Sequence, residues 1–566
     1  MEEGNFSFWV AVAFTCNYIV GTGFLTLPYA FHSAGVGLSF IVLLFMGGMS
    51  VMSVDLILEC SARATALGTV RGQEEGGGGD TGGGSGGMSA GTGKRPDAAI
   101  GTSLERSSGA TRGAKYTAIS GTDEGEEGDG GGLEMVNKAG GDGTTLGHDD
   151  SSAVYNPISG HGADRGANAH GSATTRGSET RGSSAPLEVK HQKFELTELC
   201  ELFMGTSFKN LYTAVICVYM YGTLWVFSAV FGKALAYHLT LGGNEEWSYA
   251  FYLFLFACLV VPTSCMELRE QVYMQCILAG LRIVMMVLML GTVLPSLLDS
   301  DLRRPFLEDD GTVQGDGGGA AGFHLGNIHH IITIGAYAFI FHHSVPSLAQ
   351  PVKDKTTLNS IFSTTISFCL LGYTLLGVIL ATFFGDNLEQ SANLNWSNYV
   401  GHSGNTLEPT FISECVAAFI VLFPALDVAS AFPLNAITLG NSIMTASYGS
   451  MNEYREACND RVKVSCYRVL AAAPPIMGAA VLKDLGSLTA WTGMSGLLIV
   501  FLFPPVLCLA SATELKARGI SPTTIYGTRF TTDNWIYFTL TLGGILSVYC
   551  SYCLVAHPPT EGEGEG

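Results

Sequence analysis

Residues 17–31 read NYIVGTGFLTLPYAF, the end of an apolar segment that begins near Phe6. Gly21, Thr22 and Gly23 interrupt that segment at its middle, and Pro28 interrupts it again. A helix that only had to cross a bilayer has no need of them. In a helix interior each Gly costs about 1 kcal/mol and Pro about 3. Hydrocarbon has no water to satisfy the backbone groups so released. Irregular backbone at that depth survives only where it is buried in protein or lines a cavity. A discontinuous first span is the mark of a carrier that shows peptide groups to its cargo.

The rest of the chain supports a membrane setting. Of 566 residues, 47% are hydrophobic and 14% charged, and the mean hydropathy is +0.31 despite a long polar insert. Eleven apolar stretches reach spanning length: 6–31, 36–59, 211–239, 248–264, 272–298, 329–350, 358–384, 410–436, 466–482, 487–511 and 534–556. The expected fold is therefore an all-α polytopic membrane protein with about eleven transmembrane helices. No separate signal peptide is expected, because the first apolar run is too long and lacks a cleavage pattern behind it. The net charge of −20 argues against a nucleic-acid partner. Cysteines fall in spans, at their inner ends or in loops placed inside, so neither a disulfide framework nor a metal site is indicated. Cys550 and Cys553 share one helix and read as packing residues.

Short loops set the orientation. Those after the fourth, sixth, eighth and tenth spans carry Arg269; Lys353 and Lys355; Arg455, Arg461 and Lys463; and Lys516, Arg518 and Arg529. The intervening loops carry Glu245, Glu246, Asp299, Asp301, Asp386 and Glu389, with Arg303 and Arg304 the exception. The positive-inside rule then puts the N-terminus in the cytosol and the C-terminus outside or in a lumen. Asn395-Trp396-Ser397 is a glycosylation sequon in a loop placed outside.

Composition divides the chain into 1–61 with the first two spans, an insert at 62–193, the remaining spans at 194–556, and an acidic tail at 557–566. The insert holds runs such as GGGGDTGGGSGG and almost no large apolar residues. Such a segment cannot bury enough surface to offset its ordering entropy, so a disordered cytosolic loop is expected. Tyr116-Thr117-Ala118-Ile119 and Tyr155-Asn156-Pro157-Ile158 fit the pattern read by membrane-sorting adaptors, which would be partners there; the plain alternative is a passive tether. After the insert, FELTELCELF at 194–203 places apolar residues at 196, 199, 202 and 203, one face of a helix lying along the membrane.

A second interruption matches the first. In the sixth span His342-His343-Ser344-Val345-Pro346 breaks the apolar run. Five spans separate the two breaks, the offset of a 5+5 inverted repeat in which each half begins with a broken helix. A zwitterion suits this geometry. Amide groups at Gly21, Thr22 and Gly23, at the N-terminal end of a half-helix, favour a carboxylate. Carbonyls freed at the inner half-helix and near Phe341 to Ser344 favour an ammonium group or a cation. Tyr219, Tyr221, Gly222, Thr223 and Trp225, with Phe339 and Phe341, are candidates to line the side-chain space, or they pack.

Ionisable residues inside spans are expensive and mark function or a static pair. Asp427, with Ser430 one turn on, can coordinate Na⁺ or carry a proton; the plain reading is a buried ion pair with Arg282 in the fifth span. His342 and His343 can relay protons, or one of them binds freed backbone. Lys233, His238 and Glu59 read as interfacial anchors.

These segments resemble the amino acid/auxin permease family. NYIVGTGFLTLPYAF is similar to its first helix, AYAFIFHHSVPSL (336–348) to its sixth, LFPALDVASAFPLNAITLGN (422–441) to its eighth, and LKDLGSLTAWTGMSGLLIVFLFPPVL (482–507) to its ninth-to-tenth segment. VGTGFLTLP, VYMYG and HHSVPSLAQPV look closest to one branch of it. The resemblance implies a fold of the bacterial leucine-transporter type and secondary transport of amino acids coupled to Na⁺ or H⁺, with no other cofactor. It assigns Gly21, Thr22 and Gly23 to the substrate break; the reading of the residues adds Tyr221, Phe341, His342 and Ser344 as substrate-binding candidates. Ala429 and Ser430 fall where relatives place cation ligands; Asp427, His343 and Arg282 join them as coupling candidates. The expected membrane is the plasma membrane or that of a vacuole or lysosome. The rival expectation is a non-transporting sensor or scaffold that binds an amino acid and signals through the insert. No nucleophile–base pair or cofactor motif points to an enzyme.

Overall fold

Helix follows helix along the chain because each apolar stretch can satisfy its backbone only from within. The computed structural model describes residues 6–76, 186–189, 194–266, 271–298, 305–306, 322–401, 409–448 and 456–556. Both tyrosine motifs, the interior of the insert, Arg303, Arg304 and the acidic tail lie outside the described residues. The first span is a bent pair, α1 (Phe8–Ile19) and α2 (Gly23–Ala34), at 63° to each other. Then come α3 (Val36–Gly76), α4 (Leu196–Met204), α5 (Thr206–His238), α6 (Glu245–Ser264) and α7 (Gln271–Leu298). The sixth span is again in two pieces, α8 (Ile328–Phe339) and α9 (Val345–Ala349). α10 (Leu358–Phe384), α11 (Phe411–Ser447), α12 (Arg461–Val481), α13 (Leu485–Phe501), α14 (Phe503–Ala517) and α15 (Asp533–Ala556) complete it.

Among the described residues, ten helical stretches are long and apolar enough to cross a membrane, and the bent pair makes an eleventh. Among the described residues no strand forms; there are only isolated bridges, one of them Leu187 with Thr524. The chain is a multi-pass integral membrane protein of the all-α class read from its sequence. Large apolar side chains such as Trp9, Phe254, Val287, Val548 and Tyr552 are exposed on it, as a lipid-facing surface requires.

Small residues set the closest approaches. A Cβ on Gly23 would lie 2.8 Å from Ala338 Cα, and one on Gly493 would lie 1.9 Å from the Thr333 carbonyl oxygen. α2 and α13 therefore both press onto α8 backbone to backbone, the packing that polar and dispersion forces favour in membranes. α8 and α9 together form the most buried of the ten single spans. The sixth span thus occupies the centre of the bundle, and α2, with nine of its twelve residues buried, packs against it. α2 ends at Gly35, whose φ of 86° and 2.2 Å Cβ approach to the Gly322 oxygen leave room only for glycine.

One expectation needs correction, that for Glu59, and three features add detail to the reading. The boundary set at residue 61 falls inside α3, which runs on to Gly76. Glu59 is no interfacial anchor: it is buried and ion-paired with buried Arg63, one turn on. Arg63 also donates to the Cys508 and Pro522 carbonyls at 3.1 and 3.0 Å and to Ser511 Oγ at 3.0 Å, so the pair is fully surrounded by partners. Glu59 and Arg63 lie on the same helix face, so the carboxylate and the guanidinium enter the core together. The end of the insert also docks. Leu187 N–H donates to the Thr523 carbonyl at 2.9 Å, Ile525 N–H donates back to Leu187 at 3.0 Å, and Thr65 Oγ1 donates to the Glu188 carbonyl at 3.1 Å. Finally, the sequon is built into a 3₁₀ helix: Trp396 is buried, and the Asn395 amide donates to the Asn387 carbonyl at 2.7 Å. α4 forms where its apolar period predicted, burying Leu196, Leu199 and Cys200. Burial pushes the Cys200 thiol up to about 12.

Candidate functional site

Each break releases carbonyls at the end of one half-helix and N–H groups at the start of the next. At the first break Val20 takes φ −77°, ψ 81°, an inverse γ-turn that points Gly21 N–H back to the Ile19 oxygen at 2.9 Å. The two glycines then differ. A Cβ on Gly21 would meet nothing within 4 Å, whereas Gly23 is packed on α8. Half-buried Gly21 therefore has open space beside it, next to the N-terminal amides of α2. That is a place for a carboxylate. Thr22 Oγ1 lies 2.9 Å from Tyr337 Oη, which ties the break to α8.

The second break has Phe341 at φ −145°, ψ 4° and a single 3₁₀ turn, His342–Ser344, before α9. Its two histidines diverge. His342 is buried, with Nε2 3.3 Å from both the hydroxyl and the carbonyl oxygen of Ser50 on α3. His343 instead stacks near Tyr219, at 5.9 Å between ring centroids, and Tyr219 lies 6.4 Å from Tyr337. Ser344 is half-buried and donates its N–H to the Phe341 carbonyl at 2.8 Å. The Phe341 ring is buried against Phe362.

Arg282 on α7 and Asp427 on α11 meet as the plain reading held. Arg282 Nε and Nη2 donate to the two carboxylate oxygens, both at 2.8 Å. The remaining arm of the guanidinium reaches the first break. Nη1 donates to the Val20 carbonyl at 2.6 Å, the Asn17 carbonyl at 3.1 Å and Asn17 Oδ1 at 3.0 Å. Ala429 and Ser430, half-buried, continue the same helix.

Thus the structure brings Gly21, Thr22, Arg282 and Asp427 to the first break, and His343 and Ser344 to the second. It does not bring Tyr221 there. That hydroxyl donates to the Leu470 carbonyl of α12 at 2.9 Å, and Tyr219, two residues back, is the tyrosine that faces α8. Sequence reasoning also missed Tyr373 of α10. Its buried hydroxyl lies 3.1 Å from the Ile19 carbonyl and 3.3 Å from the Ala338 carbonyl, so one donor serves both breaks. A lone tyrosine in the apolar run SFCLLGYTLLG was the available signal.

Comparison with known proteins gives matches at the N-terminus and along the chain. The family model described as transmembrane amino acid transporter protein matches residues 4–75, which include the first break. Nearly the whole chain is similar to transmembrane protein 104, which is the branch that the three motifs pointed to. It is 24% identical to that protein of Gallus gallus over 563 residues, 95% of this chain and 94% of that one. It is 23% identical to that of Homo sapiens over 568 residues, 95% of each. A manganese transporter of Eremococcus coleocola superposes with a TM-score of 0.48 at 11% identity, covering 100% of this chain and 91% of that one.

Proposed function

We propose that this protein is a secondary active carrier for amino acids that works by alternating access. The observation that carries the reading is that two half-helix breaks are tied to each other through Thr22 with Tyr337 and through Tyr373, with open space beside Gly21. The α2 amides there suit a carboxylate. Tyr219, Tyr337 and His343 offer polar aromatic walls for the rest of a small zwitterion. Alternating access needs such a site at mid-depth between two repeats. The N-terminus and the insert then face the cytosol, in a plasma, vacuolar or lysosomal membrane, and the insert's tyrosine motifs are open to sorting adaptors.

The test is uptake of a radiolabelled amino-acid panel into vesicles carrying the purified full-length chain, with Na⁺ and pH gradients varied separately. Uptake of at least one amino acid above empty vesicles is expected. Saturable binding of an amino acid with no uptake under any gradient would replace this reading by that of a sensor acting through the insert.

A further inference from the structure

A half-helix that stops inside a membrane leaves carbonyl oxygens pointing at the core. In carriers with broken helices these oxygens are where a coupling cation is held. Here several of these acceptors have donors within the protein. At the first break the Cys16 oxygen accepts from Val20 N–H at 2.9 Å, and the Ile19 oxygen from Gly21 N–H at 2.9 Å. The Asn17 and Val20 oxygens accept from Arg282, and the Ile19 oxygen accepts a second bond, from Tyr373. At the second break Ala338 shares the Tyr373 hydroxyl, and Phe341 accepts from Ser344 N–H.

Arg282 brings its own positive charge to the carbonyls that a metal cation would seek. Its guanidinium stays charged in proteins. Asp427, the carboxylate that would balance a bound Na⁺, has both oxygens on that guanidinium. We infer that the cation position formed by the Asn17, Ile19, Val20 and Ala338 carbonyls is filled from within, by Arg282 and Tyr373, and that the protein neither binds nor needs Na⁺ there. The statement that transport is Na⁺-independent rests on the carrier reading; the statement about binding does not.

The experiment follows unfolding temperature of the purified full-length protein in NaCl against choline chloride at equal ionic strength and fixed pH. A ligand that binds only the folded state raises that temperature in a saturable way. The wild type is expected to be indifferent to the exchange. Arg282→Met opens the Asn17 and Val20 carbonyls beside a free Asp427 carboxylate, and is expected to gain a saturable Na⁺ stabilisation. Arg282→Lys keeps the charge and is expected to stay indifferent. Tyr373→Phe opens Ile19 and Ala338 without unpairing a charge, so it decides the matter if Arg282→Met does not fold; a smaller gain is expected. Saturable stabilisation of the wild type by Na⁺ overturns the inference, and so do folded Arg282→Met or Tyr373→Phe proteins that ignore Na⁺. A chain that behaves as expected here yet takes up no amino acid refutes only the carrier reading.

Discussion

Gly21 and Gly23 look equivalent in the motif and are not equivalent in space. Gly21→Val places its side chain into the open space beside the first break, so uptake is expected to fall at least tenfold while folded yield stays near wild type. Gly23→Val drives a branched side chain into Ala338, already 2.8 Å from a built Cβ, and is expected to lose folded protein as well. Size-exclusion profiles and uptake measured on the same preparations separate the two; equal folded yields would sink the distinction. Asp427 and Arg282 make a second residue-scale case. Removing one member leaves a buried unpaired charge, which costs about 3–5 kcal/mol. Asp427→Asn should therefore lower the unfolding temperature strongly. Combining it with Arg282→Met should recover most of the folded yield, and a double variant worse than both singles would contradict a paired role.

At the scale of elements, the insert is tied down where it leaves and rejoins the bundle. Arg63 and Thr65 on α3 lie beside the Leu187–Val189 segment and the loop at 520–527. Val189 N–H donates to Tyr526 Oη at 3.3 Å, and that hydroxyl donates to the Lys355 carbonyl at 3.1 Å. Lys355 Nζ in turn donates to the Ala349 and Gln350 carbonyls at 2.7 and 2.6 Å, at the end of α9. Burial pushes the Tyr526 phenol upward, so this hydroxyl keeps its proton and its bond through the neutral range. Deleting 77–185 while keeping 186–189 is expected to leave a monodisperse protein, because loop length changes closure entropy only slowly. Leu187→Pro removes the N–H that reaches Thr523 and is expected to cost about 1–3 kcal/mol, read as a lower unfolding temperature. An unchanged temperature would mean that this docking contributes nothing.

Over the whole molecule, α1 lies between two fixed partners, Arg282 on α7 and Tyr373 on α10. Cys16 Sγ and Cys369 Sγ stand 3.7 Å apart across the α1–α10 contact. A disulfide needs about 2.05 Å between sulfurs. Mild oxidation is expected to join them, identified by mass spectrometry of the linked peptides, and to arrest uptake until a reductant is added. If α1 must move against α10 in the transport cycle, Cys16→Ser removes the arrest. Full uptake by the cross-linked protein would show that this contact stays closed throughout.

The sequence by itself determined the membrane class, the number of spans and the places where two of them break. Those are local matters: an apolar run of about twenty residues spans a bilayer, and Gly-Thr-Gly or a Pro disrupts backbone wherever it stands. It also offered Asp427 with Arg282, since a charge in an apolar run needs a partner. Tertiary structure alone decided what each break touches. Tyr373 is 354 residues from Ile19, and Arg282 is 262 from Val20. No periodicity reports which of Tyr219 and Tyr221 faces the core when the helix carrying them packs on several sides. Glu59 looked like an anchor because its partner Arg63 sat beyond the apparent end of the span. The helix runs on and buries both, because together they are neutral and each has an acceptor or donor within reach.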